Sequence, residues 1–267
     1  MDKSILFFDI DGTVVSEDEN RFIPESTKAA LKAARDNGHI IMVNTGRTIL
    51  IIEDRIKQLG FSGYVCGCGT NIILDSKELL RNRNDPALCL KIRDLLEKLK
   101  IPAIYESAES MRYNSNTYIH PELENMLTHF RSQQFNVNEA HDEGFYFDKF
   151  FCWAHDDSRF DIFERELSKD FQVIRRGDSP GIMRCEIVPH GFSKATGMKF
   201  MLDELGIKHE NSYAFGDSTN DLPMLEYAAH SAAMGGCPDA LKDKVEFVTD
   251  TLYNDGLAKA MERFGLI

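Results

Sequence analysis

The sequence predicts an α/β fold in which a core of parallel strands is interrupted by an inserted α+β domain. Three observations carry this expectation. At both ends of the chain, short continuous apolar runs alternate with helical stretches, the pattern of strands buried on both faces and joined by crossover helices. Between about Arg83 and Arg184 that alternation fails, and helical and β-rich pieces follow one another without a fixed rhythm. Polar islands recur just after the apolar runs, at the strand ends where open α/β sheets bind ligands.

In order, Ile5-Leu6-Phe7-Phe8 reads as the first strand. Asp9-Ile10-Asp11-Gly12-Thr13 follows it. Residues two apart on an extended chain project to one side, so Asp9 and Asp11 are expected to meet at the strand's carboxyl end. Residues 14–24 are polar and irregular. Pro24 then opens a helix over residues 25–37, with Ala30, Leu31, Ala33 and Ala34 inward and Gly38 as its stop. Ile40-Ile41-Met42-Val43 is the second strand, and Thr45-Gly46-Arg47 stands at its end. A helix over 48–59, stopped by Gly60, leads to a third strand at Tyr64-Val65.

The inserted part holds predicted helices at 86–98, 121–134 and 158–169, with β-rich pieces at 103–107, 146–154, 171–175 and 183–188. Its sheet is expected to be antiparallel. Arg81-Asn82-Arg83-Asn84-Asp85-Pro86 and Pro189-His190-Gly191-Phe192 are the expected hinges. Residues 1–82 and 189–267 are thus expected to form one discontinuous core domain and 83–188 the insertion. Past the second hinge come a helix at 194–205, the strand Ser212-Tyr213-Ala214-Phe215 and the segment Gly216-Asp217-Ser218-Thr219-Asn220-Asp221. A helix at 222–229, a strand near 232–235, a short helix from Pro238, the strand Phe247-Val248 and a helix from Gly256 complete the alternation.

At 267 residues and 43% hydrophobic content, the chain can build one large core or two modest ones. Its 31 Lys and Arg against 43 Asp and Glu, a formal charge of -12, argue against a nucleic-acid partner. An anionic ligand must therefore be drawn by a local cation, which makes each buried cation informative. No apolar stretch approaches the length of a membrane span. The opening residues have too short an apolar run for a signal peptide, so a cytoplasmic protein is expected. Cys66, Cys68, Cys89, Cys152, Cys185 and Cys237 are then expected to be reduced thiols. Cys66-Gly67-Cys68 is too tightly spaced for a zinc knuckle and reads as packing or backbone constraint.

Two carboxylates beside an apolar strand repel each other unless a cation joins them or one holds a proton. Taken singly, each polar island has a plain reading: Asp11-Gly12 starts a turn, Thr45 and Asn220-Asp221 cap helices, Lys194 is solvated. Together they fall on one rim of one sheet, and such clusters seldom gather without function. Phosphoryl transfer needs a nucleophile, a proton carrier for the leaving group and positive charge around the transferring oxygens. Asp9 suits the nucleophile and Asp11 the proton carrier. Asp9, Asp217 and the backbone carbonyl of Asp11 suit a magnesium ion. Lys194 offers a point charge, and Thr45 a hydroxyl beside the Gly46 amide at a helix start.

These residues resemble the haloacid dehalogenase (HAD) superfamily of phosphohydrolases, and within it the Cof-type sugar-phosphatase-like branch with a type IIB cap. Asp9-Ile10-Asp11-Gly12-Thr13 is similar to the first family motif, Thr45-Gly46-Arg47 to the second, Lys194 to the third and Gly216-Asp217-Ser218-Thr219-Asn220-Asp221 to the fourth. The resemblance implies a Rossmann-like, HAD-like parallel core with an α+β cap at 83–188 that sets specificity. It implies Asp9 as nucleophile, Asp11 as acid/base and Lys194 as a catalytic cation. Thr45, Gly46, Arg47 and Asn220 are implied substrate contacts, and Asp9, Asp11, Asp217 and Asp221 the Mg2+ site. By the same resemblance, Asp at position 11 is the phosphatase and phosphomutase form, whereas ion-pumping ATPases carry Thr there and dehalogenases lack the acid. One departure stands out: Cys68-Gly69-Thr70 replaces the usual Asn-Gly-Ala, with Asn71 displaced.

Arg47, in the core domain but near the cap, is expected to meet the leaving group, and Glu186, at the end of the returning cap strand, either joins it or has a surface or hinge role. Phe145, Tyr146, Phe147, Phe150, Phe151 and Trp153 read as cap core. The expected function is a Mg2+-dependent phosphatase for a small phosphorylated metabolite, a sugar phosphate or phosphorylated cofactor, working through an aspartyl-phosphate. The expected protein has no nucleic-acid or membrane partner and is a monomer or weak homo-oligomer. Two other readings use the same residues: a phosphomutase on a sugar phosphate, and a non-catalytic phospho-metabolite-binding regulator.

Overall fold

The first apolar run forms β1 (Ile5–Phe8), with all four residues buried. It is followed by α1 (Glu25–Asp36), β2 (Ile40–Asn44), α2 (Asp54–Lys57), β3 (Gly63–Cys66), β4 (Asn71–Leu74) and β5 (Lys77–Arg81). This is a computed structural model that describes residues 3–116, 120–155, 160–179 and 182–267. The insertion comprises α3 (Pro86–Lys98), β6 (Ala103–Glu106), β7 (Met111–Tyr113), α4 (Pro121–Ser132), β8 (Val137–Glu139), β9 (Lys149–His155), α5 (Phe160–Leu167), β10 (Phe171–Ser179) and β11 (Ile182–Pro189). Residues 158 and 159 of the predicted third insertion helix lie outside the described residues. The chain then resumes with α6 (Lys194–Leu205), β12 (Ser212–Gly216), α7 (Leu222–Tyr227), β13 (His230–Ala233), α8 (Asp239–Lys242), β14 (Phe247–Val248) and α9 (Gly256–Arg263).

Two compact units result. One contains Met1–Gly46, Ile52–Leu80 and Phe192–Ile267; the other contains Arg47–Ile51 and Arg81–Gly191. The sheet of the first unit has the order β14-β13-β12-β1-β2-β3-β4-β5. β1 lies at its centre, parallel to both neighbours, with Phe8 opposite Val43 on one side and Phe215 on the other. The carboxyl ends of β12, β1 and β2 therefore lie side by side, where the strand order switches direction. Alternate residues of β1 serve opposite layers, as a period of two requires. Leu6 and Phe8 pack with Leu31, Leu257 and Met261 of α1 and α9, while Ile5 and Phe7 pack with Met198, Met201 and Met224 of α6 and α7.

Between residues 48 and 81 the structure departs from the sequence reading. β3 and β4 pair antiparallel, and β4 and β5 extend the sheet as a hairpin that was not predicted. Its two-residue loop, Asp75-Ser76, has φ of 47° and 64°, the mirror-image turn usually signalled by Asn-Gly. The helix expected over 48–59 is a 3-10 turn at Ile49–Ile51 followed by the short α2. Leu50 and Ile51 pack instead into an apolar cluster of the second unit, so tertiary burial sets the conformation of this β-branched run.

The second unit is a sheet of order β10-β11-β9-β6-β7-β8. Its pairs are antiparallel except β7 with β8, which is parallel, so the fully antiparallel expectation is corrected at that edge. Tyr105, Phe147, Phe150 and Cys152 form one cluster with α3 and α5; Ile104, Met111 and Trp153 form another with α4. All six cysteines are buried free thiols. Among the described residues no helix is long and apolar enough to cross a membrane.

Candidate active site

Asp9 is the first residue past β1, and its amide continues the ladder by donating to the Phe215 carbonyl at 3.0 Å. Its side chain is buried. Lys194 reaches it from the first turn of α6. That helix start is built by a reciprocal cap in which the Thr196 amide donates to Ser193 Oγ at 3.1 Å and the Ser193 amide donates to Thr196 Oγ1 at 2.8 Å. Asn44, at the end of β2, donates from Nδ2 to the Lys194 carbonyl at 3.0 Å. Gly69 lets the backbone approach closely, since a Cβ there would stand 2.5 Å from the Ser193 carbonyl oxygen.

Lys194 Nζ donates to Asp9 Oδ1 at 2.6 Å and to Asp221 Oδ1 at 2.5 Å, all three side chains being buried. Asp221 Oδ2 accepts from the amides of Asp217 and Ser218, at 3.0 Å each. Asp217, just past β12, accepts from Thr13 Oγ1 at 3.2 Å. Gly12, at φ 74°, has no room for a side chain: a Cβ would meet Asp217 Oδ2 at 2.3 Å.

Asp9, Asp217 and Asp221 each offer an oxygen within 4.8 Å of the others. Burial pushes the Asp9 carboxyl up to about 7; Asp221 and Asp11 add to this and Lys194 opposes it. Burial likewise pushes Asp217 up to about 8, with Asp9, Asp221 and Glu17 contributing. For Lys194, burial opposes the charge, but Asp221 and Asp9 outweigh it and hold the ammonium above its ordinary range. Three carboxylates thus face one ammonium, and the two raised carboxyls mark negative charge left uncompensated. A hard divalent cation with oxygen ligands fits that donor set.

The structure thus brings together Asp9, Lys194, Asp217 and Asp221 of the sequence-predicted residues. Asp221 spends its oxygens on Lys194 and two amides, which favours a role in holding Lys194 over one in a metal shell. Asp11 pairs with Arg21, whose Nη1 donates to its Oδ1 at 2.5 Å. Thr45 is buried at the end of β2; its amide donates to the Val65 carbonyl at 2.9 Å and its carbonyl accepts from the Cys68 amide at 3.1 Å. Gly46 closes the first segment of the first unit, and Arg47 belongs to the second, where its Nη1 donates to the Ile51 carbonyl at 3.3 Å. Asn220 accepts a hydrogen bond from Ser218 Oγ. Glu186 is buried in the second unit against Lys149 at 3.0 Å, and Lys149 also meets Glu106 at 2.6 Å. Sequence reasoning gave no role to Thr13, Arg21 and Asn44. Thr13 carried a signal as the last residue of the first motif, and Asn44 as a polar residue ending an otherwise apolar strand.

The profile of the haloacid dehalogenase-like hydrolases matches residues 6–261. The chain is 28% identical to the 5-amino-6-(5-phospho-D-ribitylamino)uracil phosphatase YcsE of Bacillus subtilis, over 100% of this chain and 97% of the relative. It is 27% identical to the HMP-PP phosphatase of Serratia proteamaculans, over 88% of this chain and 85% of the relative. Its structure is similar to that of the HAD subclass IIB sugar phosphatase BT4131, with a TM-score of 0.83, 25% identity and coverage of 99% and 100%. The cluster of buried Asp9 and Lys194 with half-buried Asp217 at the switch point, together with the match over nearly the whole chain, shows that this chain belongs to the haloacid dehalogenase-like hydrolases and is a phosphatase, a phosphoric monoester hydrolase acting on phosphorylated small molecules.

Proposed function

We propose that the chain is a Mg2+-dependent phosphatase that hydrolyses a sugar phosphate or phosphorylated cofactor through an aspartyl-phosphate on Asp9. The observation that carries this is the buried contact of Lys194 Nζ with Asp9 Oδ1 at 2.6 Å, beside the half-buried carboxylate of Asp217. A carboxylate oxygen of Asp9 attacks phosphorus and the bond to the leaving oxygen breaks, while Asp11 delivers a proton to that oxygen. Water then attacks the same phosphorus, Asp11 takes its proton, the bond to Asp9 breaks and inorganic phosphate leaves. Lys194 keeps a fixed positive charge beside the attacking carboxylate. Thr45, the Gly46 amide, Arg47 and Asn220 serve as substrate contacts.

Asp9 and Asp217, with the Asp11 carbonyl, would hold Mg2+, which when bound neutralises the carboxylates and the phosphoryl oxygens. We assign the choice of leaving group to residues 83–188, because the four motifs offer only phosphate and cation contacts. The relatives named as a 5-amino-6-(5-phospho-D-ribitylamino)uracil phosphatase, an HMP-PP phosphatase and a sugar phosphatase support this class.

Release of inorganic phosphate from p-nitrophenyl phosphate in Mg2+, followed by a panel of sugar phosphates, pyridoxal phosphate and flavin mononucleotide, tests the reading. Asp9→Asn is expected to lose turnover. Full activity in that variant overturns the nucleophile assignment, and an isomerised phosphoester in place of inorganic phosphate makes the enzyme a mutase.

A further inference from the structure

We infer that Arg21 is a positioning residue that fixes the Asp11 carboxyl for proton transfer, an inference that rests on the acid/base reading of Asp11. Arg21 lies in the polar segment after β1, at a φ of 51°, which a side chain disfavours and which persists only where the surroundings hold it. They hold it closely. The Ser16 amide donates to the Phe22 carbonyl at 2.8 Å, the Phe22 amide donates to Ser16 Oγ at 2.7 Å, and the Arg21 amide donates to the Asp18 carbonyl at 3.0 Å. From outside the loop, Arg55 Nη1 donates to the Arg21 carbonyl at 2.8 Å.

The guanidinium is then divided between two acids. Its Nη1 donates to Asp11 Oδ1 at 2.5 Å and to the Ser16 carbonyl at 3.2 Å. Its Nε donates to Glu53 Oε1 at 3.2 Å, and Nη2 lies 3.2 Å from the same oxygen. Arg55 Nη2 is 3.4 Å from that oxygen as well, so Glu53 is itself anchored. The side chains of Arg21 and Asp11 keep only 20% and 30% of their exposure.

A planar guanidinium gripped at one edge presents its other edge at a fixed place and angle. Asp11 turns about two side-chain bonds, and proton transfer to a leaving oxygen requires its carboxyl within hydrogen-bond reach of that oxygen. The chain from Glu53 through Arg21 to Asp11 restricts that rotation from an element the reaction does not touch. A partly exposed ion pair adds little to folding. Its place on the residue read as the proton carrier makes orientation its use.

The test is the leaving-group dependence of kcat/KM, which covers phosphoryl transfer to Asp9 and excludes the later hydrolysis step. p-Nitrophenyl phosphate departs with little help from a proton, whereas phenyl phosphate needs it. Arg21→Ala is expected to lower kcat/KM for phenyl phosphate about tenfold more than for p-nitrophenyl phosphate. Asp11→Asn should show the same steepening, and adding Arg21→Ala to it should cost less than about twofold more. Arg21→Lys should restore part of the loss. Equal losses on both substrates, or losses that add in the double variant, overturn the inference. Should Arg21→Ala fail to fold, Glu53→Gln leaves Arg21 in place but loosens its grip; a smaller steepening supports the inference and an unchanged slope overturns it. A wild-type protein inactive on both esters refutes the phosphatase reading itself, a different result from an active enzyme with an unaltered slope.

Discussion

Asp221 Oδ1 lies 2.5 Å from Lys194 Nζ, and neither side chain reaches solvent. Because the other Asp221 oxygen is taken by two amides, Asp221 is the fixed end of the Lys194 clamp and Asp9 the end free to do chemistry.

Replacing Asp221 by Asn should therefore injure folding and catalysis together. Removing one partner of a buried pair leaves an uncompensated charge, and such changes cost about 3 to 5 kcal/mol. The amide's own N–H groups would also face the ammonium. Thermal melting should show a large drop. Any protein that remains folded should turn over p-nitrophenyl phosphate about 100-fold more slowly, the scale for a misplaced electrostatic group. A melting temperature equal to wild type would show that Asp9 alone suffices to hold Lys194.

Addition of Mg2+ should stabilise the protein more at pH 8 than at pH 5. Asp9 and Asp217 are pushed up to about 7 and about 8. Without a divalent cation the native state keeps protons that the unfolded chain sheds near pH 4, so their contribution to stability is present below about pH 4 and is lost as pH rises through 7 and 8. A cation at the same oxygens displaces those protons. Melting scans with and without Mg2+ at the two pH values check this, as does proton release on Mg2+ addition in weak buffer. Asp217→Asn should remove most of the Mg2+ effect.

The parallel core was legible because β1, β2 and β12 are short apolar runs that end in polar motifs. Asp9, Thr45 and Asp217, to which we assign the chemistry, sit at those ends for the same reason. Arg21 was illegible: in a polar segment its charge looks like a solvated one, and only the fold brings Glu53 and Arg55 beside it. Asp221 shared its motif with Asp217, and residue type cannot separate a ligand from a clamp. β7 and β8 are three residues each, too short for alternation to register, and Asp75-Ser76 lacks the glycine that marks a tight hairpin. The 49–52 run failed as a helix because Leu50 and Ile51 find their apolar partners in the second unit.

Cys68 sits at φ 56°, ψ 40°, a left-handed conformation that Asn and Gly tolerate better than Cys. It occupies the place where the resembled family usually has Asn. Cys68→Asn should therefore raise the melting temperature by a few degrees, corresponding to about 1 kcal/mol of relieved backbone strain. The thiol is buried, so a fall in melting temperature would show that its packing outweighs the strain.

Asp148 gives the second unit a pH dependence of its own. It immediately precedes β9 and is buried; its Oδ2 accepts from the Ala108 amide at 3.0 Å, while Oδ1 has no hydrogen-bond partner. Burial pushes its carboxyl up to about 6, against the pull of the Ala108 amide and Arg81. Between about pH 4 and pH 6 the native state holds a proton that the unfolded chain has released, so stability is highest below that window and falls across it. Moving from 3.8 to about 6 corresponds to about 3 kcal/mol by linkage. Asp148→Asn stays neutral at every pH, so its stability should be flat where the wild type declines, leaving the variant more stable at pH 7 and near wild type at pH 4. Trp153 is the chain's single tryptophan and lies buried on β9, so its fluorescence in urea reports this unit. Parallel pH profiles for the two proteins would place the decline elsewhere in the chain.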